Sequence, residues 1–493
     1  MDAMTSRTLP DDSHRIDVEA VNTPAARKLY KKRVQIYPKL VHGRFRAIKW
    51  AAMTVLLGIY YLTPWIRWDR PGAAPDQAVL VDFEGRRFYF FFIELWPQEV
   101  YYITGLLILA ALGLFLVTAL FGRVWCGYAC PQTVWTDLYI HVERLIEGDR
   151  SARIRLDKAP WTLGKAARKL AKHGLWLLIA AATGGAWVFY FGDAPTLFRE
   201  IFTGQASPTI YLFVGVFTFT TYTLAGAMRE QVCTYMCPWP RIQAALIDND
   251  ALSVTYRADR GEPRGAHKKG TSWEGRGDCI DCNQCVAACP QGIDIRMGDQ
   301  LECINCALCI DACDAVMRRI DRPIGLIAYD SPANVARRRR GERPKVRLVR
   351  PRTILYAVLL VAVAALMLTQ LVNRQLLSLD VVRDRSPPFV RLADGSVRNN
   401  YLIKVINMAP AARTLALRVE GAPHADLASF AHETRDGAIL VSARADAVTT
   451  LRVHVTAQRG AAAGPRDIAF VLRDPQTGEA IAESPSVFVG GGP

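Results

Sequence analysis

The sequence predicts a polytopic α-helical membrane protein with a small cysteine-rich α+β domain and a C-terminal all-β sandwich. Three observations carry that prediction. Five windows are apolar over the length a bilayer requires, about 20 residues of helix. Eight cysteines crowd into residues 279–314. The last 180 residues contain no cysteine and read as short strands separated by turns.

The chain has 493 residues, 51% of them hydrophobic, and a formal net charge of +15. That combination fits several spans joined by basic loops rather than one soluble domain. Nucleic acid is excluded as a partner, because the basic residues lie beside apolar spans. The run Arg337–Arg340 precedes the last span and is expected to mark the membrane surface. The first twenty residues have no apolar core, so no cleavable signal peptide is expected. All twelve cysteines fall between Cys126 and Cys313, a pattern of metal ligation in a reducing compartment rather than of disulfides.

The predicted organisation is a basic N-terminal segment, 1–47, then a four-helix membrane region, 48–228. A cysteine-rich region, 229–352, precedes a fifth helix, 353–373, and a tail, 374–493. The spans are 50–66, 100–121, 174–192, 208–228 and 353–373, and none of these windows contains a charged residue. Trp50, Trp65 and Trp68 are interface anchors for the first. The stretch 88–96, "FYFFFIELW", is too short to span and is assigned to the interface. Lys28, Lys31, Lys32, Arg33, Lys39, Arg44, Arg46 and Lys49 precede or open the first span, and 123–172 carries ten Lys and Arg. Segment 193–207 carries only Arg199. The positive-inside bias then puts the N-terminus, 122–173 and 229–352 in the cytoplasm, and the tail outside a bacterial inner membrane.

The densest chemistry is the doubled Cys-x-x-Cys-x-x-Cys-x-x-x-Cys motif at Cys279, Cys282, Cys285 and Cys289, then Cys303, Cys306, Cys309 and Cys313. This is the spacing of a ferredoxin-like domain with two [4Fe–4S] clusters, in which the fourth cysteine of each run ligates the other cluster. Cluster one should take Cys279, Cys282, Cys285 and Cys313. Cluster two should take Cys303, Cys306, Cys309 and Cys289. Doubling of the motif favours iron–sulfur over zinc. Pro290 follows the first run, whereas Asp314 stands in that place after the second.

Two further motifs read Cys-x-x-x-Cys-Pro: Cys126, Cys130 and Pro131 after the second span, and Cys233, Cys237 and Pro238 after the fourth. They suggest an internal repeat of two helical hairpins. Residues i and i+4 share a helix face, so each pair is expected to offer two thiols to one ligand. Four soft thiolates can hold Cu(I), hold an iron–sulfur centre, or cycle between dithiol and disulfide. His141 and His173 lie on the same side and read as interfacial histidines. In the tail, "YLIKVINM", "AILVSA", "TLRVHVTA" and "DIAFVLRD" read as strands, with turns at "ADGS" and "RDGA". His424, His432 and His454 are scattered there and form no site.

"WCGYACPQTVW", "CTYMCPWPRIQ" and "RNNYLIKVIN", with the order of the parts, resemble the cytochrome c oxidase accessory family CcoG, also called FixG or RdxA. The resemblance covers nearly the whole chain and implies an immunoglobulin-like fold for the tail. It implies a role in assembling cbb3-type cytochrome c oxidase, with an oxidoreductase step that reduces Cu(II) to Cu(I) on the cytoplasmic side. Copper would be substrate or transient ligand at Cys126, Cys130, Cys233 and Cys237. The implied partners are membrane lipid, oxidase assembly factors or copper chaperones, and an electron donor. No strand leads into G-x-G-x-x-G, so no nucleotide fingerprint identifies that donor. A homodimer is the commonest oligomer for such a chain. Two other functions fit the same motifs. One is a quinol-oxidising membrane ferredoxin of an anaerobic respiratory chain. The other is an assembly scaffold whose clusters are structural or sense redox state.

Overall fold

The computed structural model describes residues 15–22, 34–70, 74–267, 270–422, 424–458 and 464–490. Lys28, Lys31, Lys32 and Arg33 lie outside them. The chain forms two compact units, Met1–Trp68 with Gln77–Met367, and Asp69–Asp76 with Leu368–Pro493.

The first unit is built on helices long and apolar enough to cross a membrane, five among the described residues: Arg44–Trp65, Pro97–Phe121, Leu163–Phe191, Pro208–Met228 and Pro351–Val372. The third begins earlier than its apolar window. The Thr162 hydroxyl caps it by accepting the Lys165 N–H, and basic turns through Lys172 continue the helix ahead of the apolar stretch. The fourth is α-helical to Thr221 and has π geometry over Tyr222–Met228. Close approach joins the third and fourth spans, since a Cβ on Gly184 would meet the Val214 carbonyl at 2.7 Å. The Thr183 hydroxyl gathers Tyr61 at 2.7 Å and the Trp135 indole at 3.0 Å.

The segment 88–96, too short to span, is β. It supplies β2 (Arg87–Phe90) and β3 (Ile93–Leu95), which with β1 (Val79–Asp82) form an antiparallel sheet. Between the fourth and fifth spans, β4 (Ser253–Tyr256) pairs antiparallel with β5 (Ile327–Asp330), with Val254 opposite Tyr329. This strand pair and the helices Gln284–Ala288 and Leu308–Arg319 frame the two cysteine runs. The arginine run is turned partly inward. Arg337 meets Asp250, and Arg338 meets Asp259 and Asp330, both at 2.8 Å, while Arg340 pairs on the surface with Glu342.

The second unit is a sandwich. One sheet holds β6 (Leu377–Arg383), β7 (Val390–Arg391), β8 (Val397–Asn407), β10 (Ala425–Ala428) and β13 (Ala447–Ala457). The other holds β9 (Arg413–Glu420), β11 (Thr434–Arg435), β12 (Ala438–Ala443), β14 (Pro465–Arg473) and β15 (Ala480–Val489). Alternate residues of β8 point inward, so Tyr401, Ile403 and Val405 meet Leu417, Ile439 and Phe470 of the other sheet. His454 lies on β13 opposite Asn400 and rests against Phe430.

The buried Asn399 links the sheets: its amide donates to the Val489 carbonyl at 2.9 Å and accepts the Val489 N–H at 3.0 Å. Asn399→Ala strands both backbone groups and is expected to cost about 2–4 kcal/mol, since each stranded group costs about 1–3 kcal/mol. Hydrogen exchange of the intact detergent-solubilised protein should then show early exchange in β15. Unchanged exchange there would refute the role.

Candidate functional site

Each cysteine run is shaped by alternating left-handed residues. Asp281 and Asn283 have φ of 56° and 56°, and Asn305 and Ala307, at the same offsets in the second run, have 53° and 60°. Non-glycine residues seldom adopt this conformation, and here it recurs four times at matched positions. The resulting loops turn backbone N–H groups onto sulfur. Gln284 donates to Cys282, Asn305 to Cys303, and Gln291, Gly292 and Ile293 to Cys289. Such N–H groups stabilise negative charge on thiolate.

The eight sulfurs fall into two neighbourhoods. Cys313 is within electrostatic reach of Cys279, Cys282 and Cys285. Cys289 is within reach of Cys306, and Cys303 of both. Cys309 is within reach of Cys303, Cys306 and Cys289, with Cys285 next. A cavity opens among Cys285, Cys289, Cys303, Cys306 and Cys309. Burial pushes the Cys289 and Cys303 thiols up to about 12, and raises Cys285, Cys309 and Cys313 as well. Buried thiols of this kind are inert unless a metal centre takes the proton's place. All twelve cysteines are free of disulfides. The paired loops, inward N–H groups and two four-thiol neighbourhoods fit two [4Fe–4S] clusters. Asp314 also has a physical reason. It lies inside the helix Leu308–Arg319, which a proline there would interrupt, and its carboxylate accepts the Gly325 N–H at 2.8 Å.

This ferredoxin-like lobe is bound tightly to the ends of the spans. Asp311, on the helix that carries Cys309 and Cys313, accepts the N–H groups of Phe45 and Arg46 at 3.2 and 2.7 Å. It thereby caps the first span. The Arg123 guanidinium bonds the carbonyls of Gln300, Leu301 and Cys303 at 3.2, 2.5 and 3.3 Å. The Tyr128 hydroxyl donates to the Cys306 carbonyl at 3.1 Å. Between those two contacts, Gly127 lies flat on the lobe. A Cβ there would meet the Ile304 carbonyl at 2.6 Å and the Cys306 Cα at 3.0 Å.

The two Cys-x-x-x-Cys-Pro motifs share a kink, a short turn and an extended second cysteine, α-helical in the first turn and π-helical in the second, and both differ from a continuous helix. Gly122, four residues before Cys126, has φ 60° and ψ −131°. Arg229, four residues before Cys233, has φ 48° and ψ −114°. After each kink the first cysteine sits in one short turn, Val124–Tyr128 or Val232–Met236. The second cysteine, Cys130 or Cys237, is extended. Each Cys-Pro leads into a new helix, Pro131–Glu147 or Trp239–Leu246. The expected shared helix face is therefore absent, because the chain breaks between the cysteines of each pair.

All four thiols nevertheless converge. Cys126 is within electrostatic reach of Cys130 and Cys237, and Cys233 of Cys130, Cys126 and Cys237. Burial pushes Cys126 and Cys233 up to about 12, while Cys237 is exposed. Cys126 Sγ donates to Gln243 Oε1 at 3.2 Å and packs against the cluster containing Ile304 and Cys306. Among the described residues, no three His, Cys, Asp or Glu are grouped to hold one metal ion. His141 packs edge-on against Trp50, and His173 hydrogen-bonds the Tyr222 hydroxyl at 2.8 Å.

Buried charge holds the second motif in place. Glu143 pairs with Arg229 at 2.6 Å, with Lys172 at 3.5 Å and with Arg153. Glu147 pairs with Lys169 and Lys172 at 2.9 and 3.0 Å. Arg229 also donates to the Gly226 carbonyl at 2.8 Å, which anchors its unusual backbone. The sequence signal for Arg229 was its offset from Cys233, matching that of Gly122 from Cys126. Nothing local marked Gly127, Gln243 or Glu143.

Three family models match the chain. A "4Fe-4S dicluster domain" matches residues 228–332 and a "4Fe-4S binding domain" matches 103–147. An "IG-like fold at C-terminal of FixG" matches 367–491. Nitrogen fixation protein FixG of Rhizobium meliloti is 51% identical, covering 94% of this chain and 95% of that protein. Proteins RdxB and RdxA of Cereibacter sphaeroides are 48% and 49% identical. They cover 94% and 88% of this chain, and 98% and 91% of their own lengths. A crystal structure of a FixG-related protein from Vibrio parahaemolyticus matches 23% of this chain and 96% of its own, at 22% identity and TM-score 0.20. Likeness along nearly the full length of curated relatives, together with the iron–sulfur and FixG C-terminal domains, makes this chain a member of the FixG/RdxA family of membrane iron–sulfur electron-transfer proteins.

Proposed function

We propose that this protein supplies electrons that reduce Cu(II) to Cu(I) for the assembly of cbb3-type cytochrome c oxidase. The observation that carries the reading is the packing of Cys126 on the Ile304–Cys306 face of the ferredoxin-like lobe. It puts a set of soft thiols directly beside an electron carrier. Cys279, Cys282, Cys285 and Cys313 would hold one cluster, and Cys303, Cys306, Cys309 and Cys289 the other. Each cluster, when bound, supplies a one-electron carrier.

The residues around them have separable tasks. Arg123 holds the 300–303 loop and places a positive charge between Cys303 and Cys126. Gly127 lets the first thiol motif touch the lobe. Cu(II) takes up one electron beside the four thiols, at their exposed rim, and leaves as Cu(I), the ion that thiolate prefers. Exposed Cys237 and Met236 offer soft donors at its rim. The Lys and Arg distribution supports a cytoplasmic lobe and N-terminus, with the immunoglobulin-like domain on the outer side of a bacterial inner membrane. That domain would recruit the oxidase, its assembly factors or copper chaperones.

The test uses anaerobically purified protein, reduced with dithionite and freed of excess reductant. Cu(II) is added with a Cu(I)-specific chelator present. Cu(I) should appear in step with cluster oxidation followed by absorbance and EPR. The variant with Cys126, Cys130, Cys233 and Cys237 all replaced by serine should lose this reaction. Clusters that stay reduced, with no Cu(I), would overturn copper as acceptor. Undiminished Cu(I) from the variant would overturn the site.

A further inference from the structure

The segment 103–147 resembles a four-iron binding domain yet contains only two cysteines, Cys126 and Cys130. A [4Fe–4S] cluster bound by thiolate takes four. The structure shows where two more thiols stand. Cys233 and Cys237 come from the other half of the repeat and enter the same neighbourhood.

The grouping of these sulfurs is informative. One tetrahedral ion gathers its thiolates tightly, each about 2.3 Å from a single centre. A four-iron cube spreads its ligands more widely, because each binds a different iron. The eight cysteines of the ferredoxin-like lobe lie in four-thiol neighbourhoods and form no single-ion group. The four membrane-proximal cysteines form a four-thiol neighbourhood of the same kind. The left-handed kinks at Gly122 and Arg229 also repeat, each four residues before the first cysteine of its motif.

We propose that Cys126, Cys130, Cys233 and Cys237 together ligate a third iron–sulfur cluster, split between the two halves of the membrane region and seated against the ferredoxin-like lobe. Neither half is complete without the other. The site continues the line of carriers out of the lobe, since Cys126 packs beside Cys306. One electron crosses that contact at a time, with no atom or proton exchanged. The inference deepens the electron-transfer reading and holds whichever acceptor, Cu(II) or another, stands at the exposed rim.

The test is iron and acid-labile sulfide per chain on anaerobically isolated full-length protein, with Mössbauer spectroscopy to count clusters. The proposal expects about twelve iron atoms per chain, four for each of three clusters. Replacing Cys126 and Cys130 by serine, or Cys233 and Cys237 by serine, should each lower the count to about eight. The EPR signals of the lobe should persist in both variants, which separates cluster loss from misfolding. About eight iron atoms in the unaltered protein would overturn the proposal. So would copper found in place of iron at the four thiols, or a disulfide mapped between them. A control pair, Cys282→Ser with Cys306→Ser, tests the parent reading. Iron unchanged in that control would remove the ferredoxin-like assignment instead.

Discussion

Gly127→Leu is expected to lift the ferredoxin-like lobe from the membrane thiols while leaving its clusters loaded. Any side chain at this position runs into backbone, the Ile304 carbonyl and the Cys306 Cα, and neither can rotate away. Overpacking of this kind costs about 3 kcal/mol. At about 1.4 kcal/mol per decade, that weakens docking roughly a hundredfold. Iron bound by the lobe should be retained, because Gly127 touches the outside of the second cysteine loop. Amide exchange at Ile304–Cys309 should quicken, and Cu(I) formation by the pre-reduced protein should fall steeply. Alanine should show a smaller version of both changes. A leucine variant with normal exchange and an undiminished rate would dismiss the contact as the electron route.

Glu143→Gln should be the most destabilising single change in the membrane region. Its carboxylate is almost fully buried and faces Arg229, Arg153 and Lys172. Removing that charge leaves cations without a counter-ion, a loss of about 3–5 kcal/mol. The same arrangement makes stability depend on pH. Burial alone would raise the Glu143 carboxyl, but Arg229 and Arg153 outweigh it and hold the group below its ordinary value. A depressed carboxyl contributes stability that is present above its unfolded value of about 4.3 and is lost as pH falls through the lower folded value. Thermal unfolding of the detergent-solubilised protein should show that acid-sensitive step. In the glutamine variant this contribution should be gone and the starting midpoint lower. Equal midpoints at neutral pH would refute the assignment.

The spans were legible because hydropathy is a local property, and their windows lie within or close to the observed helices. The third was too short because Lys165–Lys172 hide a helical stretch from an apolar window. The cysteine runs were legible because cluster ligation fixes spacing along the chain. The pairing across the membrane motifs was only half legible. Their repetition pointed to a common role, but the assumption of a continuous helix missed the break before each Cys-Pro. Convergence of Cys126 with Cys237 is a tertiary fact, as is the fit of Gly127 on Cys306. Glu143 reads as one acidic residue on an amphipathic helix, and its value lies in cations from three other segments.

The cap on the first span bears on how the molecule is made. Asp311 closes the N-terminus of that helix from 265 positions downstream, as counted to Arg46. Further upstream, Ile16 donates its N–H to the Cys282 carbonyl, and Lys39 donates to that of Ala287. A ribosome therefore releases the first span long before Asp311 exists. That helix must wait, uncapped, until four spans have been inserted. Contacts of such sequence separation form late and together. Closure of the first span's N-terminus is therefore tied to folding of the cysteine-rich lobe, because the group that caps it belongs to that lobe.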